Sequence, residues 1–442
     1  MLYVVDACVL GIVACILRNF SLGFFLVLCS RMFFPVYVRF SLGPISVAVF
    51  DFFLPFLLIS FLLERTKSLS LQEKSFFVLP RKILVYLGIV YVSSFVLMCF
   101  SMDEIPFGYQ LSCFLKTLCQ DVLYTVMGYY AFKCFDSKYM KCFWWTAFIV
   151  GLYGIFVYLL KFNLYIDVLS NLYVGENRFE FFAEQIRGGL VGRSSGTLDH
   201  PLSWGQMWGC LLALYFICGN TIKYKVLQKV FPILAVINIF VSGSRAAIIV
   251  ALVIVLMNLI EQGAWKMIRF IALMLVCLIL VVVLFNDNSV VMGMESYLKS
   301  VVFFWDDSYA VQADIGGSSA NMRSEQLKTS FEIVETNLLC GMGYSAVGYY
   351  GSTYFVGMRG FESIVYKKIV EQGVLGLVFF IWSYVYLSKW IVGEVCCRRE
   401  KILWIAYFVS YFVSIVFTGI QNTWSIFFFI SFLALKHKTN KT

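Results

Sequence analysis

Five residues stand where their type and neighbours suit anion binding or acid–base chemistry. Arg193 sits in the Gly/Ser-rich stretch GRSSGTLDHPLSWG. Glycines let the backbone approach a ligand closely, and a guanidinium binds phosphate through two parallel hydrogen bonds. The plainer reading is a loop arginine that reaches lipid headgroups. Arg245 sits in VSGSRAAIIV, between two apolar runs with almost no connector. At that depth an arginine must pair, line a wet cavity or reach an interface. Ser242 and Ser244 are placed to cap the helix that follows. Arg323 begins a helical pattern in which Glu325 and Lys328 offer ordinary surface pairing. Arg359 stands three residues before Glu362 and either pairs with it or meets an anionic group. Glu362 opens FESIVYKKIVEQGVLGL, where a carboxylate serves as a general base if partly desolvated, or simply as an acid at a helix start.

Further charges interrupt apolar runs. Glu371 falls inside the run that follows Glu362 and requires a partner, with Lys367 and Lys368 close in sequence. Asp6, Asp51, Lys116 and Asp121 do the same elsewhere. Lys116 and Asp121 are spaced to pair on one helix, and Asp51 is placed to cap or orient a span. No GxxxxGK[ST], GxGxxG or HExxH motif occurs, so nucleotide and zinc-peptidase chemistry is not encoded here. The chain has two histidines and fourteen cysteines, the latter scattered through apolar runs without a CxxC pair. They read as small hydrophobes. Asp306-Asp307 is adjacent rather than spaced, a weak metal signal. The expectation is no metal and no cofactor.

The elements that must hold these residues are membrane helices. Apolar residues are 61% of 442, charged residues 14%, and mean hydropathy is +0.83. A soluble domain carries roughly 45–50% apolar and about 25% charged residues. Unbroken apolar runs exclude a β-barrel, whose strands alternate. The expected fold is all-α: one polytopic membrane domain over residues 1–442 with about twelve transmembrane helices. Spans are expected near 43–63, 83–101, 109–132, 143–160, 202–219, 230–243, 246–260, 268–285, 363–387, 402–418 and 420–435. Residues 2–38 hold either one long span or a tight pair. No cleavable leader is expected, because the first apolar run lacks a basic start.

Sidedness follows from lysine and arginine. Connectors 64–82, 133–142, 220–229, 261–269, 388–401 and the tail 436–442 hold 20 basic residues against six acids. Connectors 102–108, 161–201 and 286–362 hold eight against sixteen. The first set is expected in the cytoplasm, with the C-terminus inside. The net charge of +9 then reflects cytoplasmic loops rather than nucleic acid. Two long loops, 161–201 and the larger 286–362, face outward and have room for polar chemistry. In the larger one, residues 319–338 read as an amphipathic helix. Met322, Leu327, Phe331, Val334 and Leu338 mark its apolar face, which lies on the membrane or caps a cavity. Gly341 and Gly343 end it.

Four features stand in one order: an outer-loop arginine, SGSR at a tight turn, a large loop with R…GxG, and a polar residue eleven before the glycine of EQGVLGL. Over residues 185–390 this resembles the bacterial O-antigen polymerase and O-antigen ligase superfamily. The matching stretches are SGSRAAIIVAL, NMRSEQLKTSFEIVETNLLCGMGYSAVG and SIVYKKIVEQGVLGLVFF. The ligases place a histidine where Glu362 stands, which turns the expectation toward a polymerase.

The resemblance implies an enzyme of the bacterial inner membrane. It would move glycan from a polyprenyl-pyrophosphate carrier to a sugar hydroxyl at the outer face, for O-antigen, capsule or exopolysaccharide. Arg193, Arg245, Arg323 and Arg359 would bind the pyrophosphate and Glu362 would act as base. Its partners would be the lipid-linked donor, a glycan acceptor, membrane lipid, and a chain-length regulator or flippase. The alternatives are an O-antigen ligase that transfers glycan to lipid A core, and a transporter or flippase of lipid-linked glycans. The transporter reading calls for inverted repeats and broken helices.

Overall fold

A computed structural model describes residues 2–69, 81–173, 193–263, 320–350 and 363–418, with short gaps at 36–37, 43–44, 103, 134–136, 199, 220–221, 223 and 396, and a few single residues elsewhere. Fourteen α-helices lie among the described residues. In chain order they are α1 (Leu2–Arg18), α2 (Phe20–Ser30), α3 (Val49–Leu69), α4 (Arg81–Cys99), α5 (Phe107–Lys133), α6 (Ser137–Leu160) and α7 (Leu164–Tyr173). Then come α8 (Pro201–Cys218), α9 (Lys225–Val241), α10 (Arg245–Gln262), α11 (Ala320–Ile333), α12 (Ala346–Tyr350), α13 (Ile364–Gly393) and α14 (Arg398–Thr418).

Helices occupy most of the expected spans, as unbroken apolar stretches must when lipid leaves the backbone no other partner. Four of the described helices are long and apolar enough to cross a membrane: Arg81–Cys99, Tyr139–Leu160, Ile364–Gly393 and Arg398–Thr418. The spans expected at 268–285 and 420–435 lie outside the described residues, and the total of twelve rests on them.

Of the two alternatives for residues 2–38, the helices Leu2–Arg18 and Phe20–Ser30 form the tight pair. Asn19 caps α2 by accepting from the Leu22 N–H at 2.9 Å, and Gly23 packs directly on Ile16, so the chain turns back on itself. The all-α class holds among the described residues, with one small addition. Strands β1 (Arg39–Leu42) and β2 (Ile45–Ala48) form an antiparallel hairpin with Arg39 opposite Ala48. It takes up the start of the run expected to begin a span at 43. Gly43-Pro44 interrupts that run, and proline cannot continue a helix begun before it.

The helix expected over residues 319–338 is α11, which is shorter: it ends at Ile333, followed by a 3-10 turn over Glu335–Asn337. Of the expected apolar face, Leu327, Phe331 and Leu338 are exposed, while Val334 is buried with Gln326 and Ser330. The face is therefore split, three of its residues turned outward and one inward.

The largest contact surfaces join α10 to α14, α13 to α4, and α8 to α9 and α10. The core contains fully buried Trp144, Trp204, Trp208 and Trp404.

Candidate functional site

Arg193 is held by a loop that is fastened on four sides. The Ser194 N–H donates to Val241 O at 2.7 Å and its hydroxyl to Gly154 O at 2.8 Å. Buried Asn163 donates to Gly196 O at 2.6 Å and accepts from the Ile166 N–H at 3.2 Å, tying the loop to the start of α7. The Thr197 hydroxyl donates to Met32 O beyond α2. So fixed, the Arg193 side chain lies across Gly243 of the SGSR turn. A Cβ on Gly243 would stand 2.7 Å from Arg193 Cγ, and Gly243 has φ +61°, a conformation that favours glycine. Arg245 is the first residue of α10, two positions on, where Ser244 caps the helix by accepting from Ala247 N at 3.3 Å. The turn therefore sets Arg193 and the start of α10 side by side. A helix N-terminus also carries free N–H groups and positive potential.

Arg323 reaches the same end of the bundle by another route. Its Nη2 donates to Phe417 O at 3.2 Å, and its guanidinium lies 5.2 Å from the Phe417 ring centre. The next residue, Thr418, accepts from Gln206 at 3.1 Å, as Ser414 does at 2.8 Å. Gly205 beside Gln206 packs on Ser242 and Ser244 of the SGSR turn and on Ala247 of α10. So α14 and α8 join Arg323 to the turn carrying Arg245. Lys328, farther along the helix, pairs with Glu332 at 3.6 Å.

His200, not singled out as a site residue in the sequence, stands at the edge of this group. It caps α8, its Nδ1 accepting from the Leu202 N–H at 3.0 Å. Burial, and secondarily the Arg193 charge, push its pKa down to about 4. The imidazole is thus neutral near pH 7, with its proton on Nε2.

Glu362 and Arg359 lie outside the described residues. The chain is described again from Ser363, which caps α13 by accepting from the Val365 N–H at 3.2 Å. Ten residues on, α13 breaks. Gly373 has φ +65° and ψ −169° in the middle of the helix. The break is filled by backbone from the large loop. The Met342 and Gly343 N–H groups donate to Val370 O and Glu371 O at 2.9 and 3.1 Å. The Val374 and Leu375 N–H groups donate to Leu338 O and Leu339 O at 3.0 and 3.2 Å. A Cβ on Gly373 would stand 2.3 Å from Leu339 O. The buried Glu371 meets Lys367 at 4.0 Å, the partner its position required.

This part of the loop also rests on the α4–α5 connector. Asn337 donates to Phe100 O at 2.8 Å, and the Tyr344 N–H to Gln110 Oε1 at 2.9 Å. Connector 102–108 and the large loop therefore share a side, as the charge count requires.

The charges inside the apolar runs are paired, but not as expected. Lys116 binds Asp51 on α3 at 3.3 Å, and Gln120 donates to the same carboxylate. Asp121 accepts from the Tyr91 hydroxyl at 2.5 Å. Lys116 and Asp121 are five apart on α5, one residue beyond the same-face i,i+4 position.

Comparison with known proteins bears on this arrangement. No curated protein matches the chain. Residues 230–381 match the family model described as O-antigen ligase. That segment holds Arg245, Arg323, Arg359, Glu362 and the broken helix, while Arg193 precedes it. Over that segment, about a third of its length, this multi-pass membrane protein is similar to the O-antigen ligase family.

Proposed function

We propose that the protein is a polysaccharide polymerase of the bacterial inner membrane. It joins oligosaccharide repeats carried on polyprenyl pyrophosphate at the outer membrane face. The observation that carries this reading is the convergence of Arg193, the SGSR turn and Arg323 at one end of the bundle. In the reaction, an acceptor sugar hydroxyl attacks the anomeric carbon of the donor glycan. The new C–O bond forms as the bond to the pyrophosphate oxygen breaks, and negative charge grows on the leaving phosphate. Preorganised guanidinium groups stabilise that charge at the moment it develops. Arg193, Arg245, Arg323 and Arg359 take this role, with no step assigned to a metal. Glu362 takes the hydroxyl proton, and Ser363 fixes the start of the helix behind it.

The family description favours one alternative, a ligase with the same donor and a different acceptor. Glu362 standing where the ligases carry histidine supports the polymerase. The transporter reading gains little from the Gly373 break. The carbonyls freed there, which would otherwise face an ion, are satisfied by Met342 and Gly343.

The test is the surface glycan of a deletion strain complemented with wild type, Arg193→Ala or Glu362→Gln. A polymerase predicts single-repeat product in the deletion and in both variants. Full-length polymer retained on the carrier would make the protein a ligase. Normal product with Glu362→Gln would remove the base assignment.

A further inference from the structure

Three helices fix the depth at which the large loop sits. At the far end of the bundle, Glu394 caps α13, Arg398 begins α14, and Glu394 pairs with Lys82 near the start of α4 at 2.8 Å. From that level Leu375 stands nineteen residues along α13 and Phe417 nineteen along α14, about 29 Å each at a helical rise of about 1.5 Å per residue. Phe100, just past α4, stands eighteen residues beyond Lys82, about 27 Å. The loop is tied to all three residues. Arg323 donates to Phe417 O, Asn337 to Phe100 O, and the Leu375 N–H to Leu339 O. The hydrocarbon core of a bilayer is about 30 Å thick. The stretch from Arg323 to Leu339 therefore lies flat along one boundary of that core.

The side chains of α11 suit that place. Gln326 and Ser330 are buried against the protein. Glu325, Lys328 and Glu332 are exposed on another side. Between these faces Leu327 and Phe331 are 37% and 41% exposed, and beyond the helix Leu338 and Leu339 are exposed too. A helix lying at this depth turns its apolar edge into lipid and its charged edge to water. Arg323 heads the apolar edge. Leu327 and Phe331 follow it by four and eight residues, so they run along one line of the helix, about 6 and 12 Å from it. Phe417, whose ring faces the guanidinium, is itself partly exposed. A guanidinium at the hydrocarbon boundary, with an apolar track leading from it, complements a phosphate joined to a hydrocarbon chain. A chain whose phosphate is held at Arg323 leaves along Leu327 and Phe331.

We propose that α11 is the dock for the lipid carrier: the first units of its isoprenoid chain lie along Leu327 and Phe331 while its pyrophosphate meets Arg323. This deepens the pyrophosphate reading above and rests on it.

The experiment uses purified full-length protein in detergent. Thermal unfolding is followed during separate titrations with polyprenyl pyrophosphate, inorganic pyrophosphate and phosphatidylglycerol. Wild type, Arg323→Gln and a double variant, Leu327→Ser with Phe331→Ser, are compared. Polyprenyl pyrophosphate should stabilise wild type, and the double variant should bind it at least about tenfold more weakly. The same variant should bind inorganic pyrophosphate as wild type does, whereas Arg323→Gln should weaken both. If the double variant holds polyprenyl pyrophosphate as tightly as wild type while Arg323→Gln does not, the proposal falls and the functional reading stands. A parallel loss of inorganic pyrophosphate binding in the double variant would mean that the serines disturb the anion site, and overturns the proposal. An equal loss with phosphatidylglycerol assigns the track to lipids at large and overturns it too. No response of wild type to either pyrophosphate removes the functional reading and the proposal together. Should the double variant fail to fold, Phe331→Ser alone is judged by the same outcomes.

Discussion

Arg193 and Arg323 are useful at their positions because of what lies beneath them. Arg193 rests on a glycine, so Gly243→Ala tests the placement of the arginine without removing its charge. The added methyl would meet Arg193 Cγ and strain a positive φ, costing about 1–3 kcal/mol locally. We expect this variant to lose glycan product while Arg193 remains in the chain, read on the same surface-glycan gel. His200 makes a prediction about pH. Its folded pKa of about 4 lies below the ordinary 6.5. Between those values the unfolded chain binds the proton more readily, so stability falls as pH drops through that window and is fully present above it. His200→Asn keeps a capping side chain and should flatten the fall in unfolding temperature between pH 6.5 and 4. An unaltered pH profile would place the titrating group elsewhere.

At the scale of the element, α11 separates what periodicity reveals from what it cannot. The helix and its stripe of apolar residues were readable from spacing alone. Which way the stripe faces was not, because spacing is blind to whether water or lipid lies outside. Ser330 is fully buried and Phe331 is 41% exposed. Ser330→Leu should therefore destabilise the protein by about 1–3 kcal/mol through overpacking. Phe331→Ser should leave the unfolding temperature in detergent nearly unchanged. The reverse ranking would mean that Phe331 packs against the protein and Ser330 does not. The hairpin of β1 and β2 was likewise hidden, since its residues continue an apolar run that also suits a helix. The partners of Lys116 and Asp121 come from α3 and α4, and only tertiary packing brings those elements to α5.

For the molecule as a whole, most expected spans coincide with helices to within a few residues, four of them long and apolar enough to cross a membrane, because length and hydropathy are what a bilayer selects. It also placed connector 102–108 and the large loop on one side, and their hydrogen bonds agree. What it could not supply was convergence. Arg323 is joined to the SGSR turn through Phe417, Thr418 and Gln206, residues with no chemical signature of their own, and Arg193 meets that turn at Gly243. Sidedness gives a prediction at this scale. Single-cysteine reporters at exposed Glu104 and Lys229, in a cysteine-depleted background, should react oppositely with a membrane-impermeant thiol reagent. Glu104→Cys should label in intact spheroplasts and Lys229→Cys only after lysis. Labelling of both from one side would undo the charge-based orientation.

The splice at Gly373 has one more consequence. Four amides, Met342, Gly343, Val374 and Leu375, are protected by bonds that cross between the loop and the helix. None of them can open to water by ordinary helix fraying, since each bond is closed by the other strand of the splice. In hydrogen–deuterium exchange they should behave as a single clock, slow and synchronous, although two of the four belong to a loop. A loop that swung away during the catalytic cycle would release all four together. Their shared exchange rate therefore counts how often the large loop leaves the membrane domain.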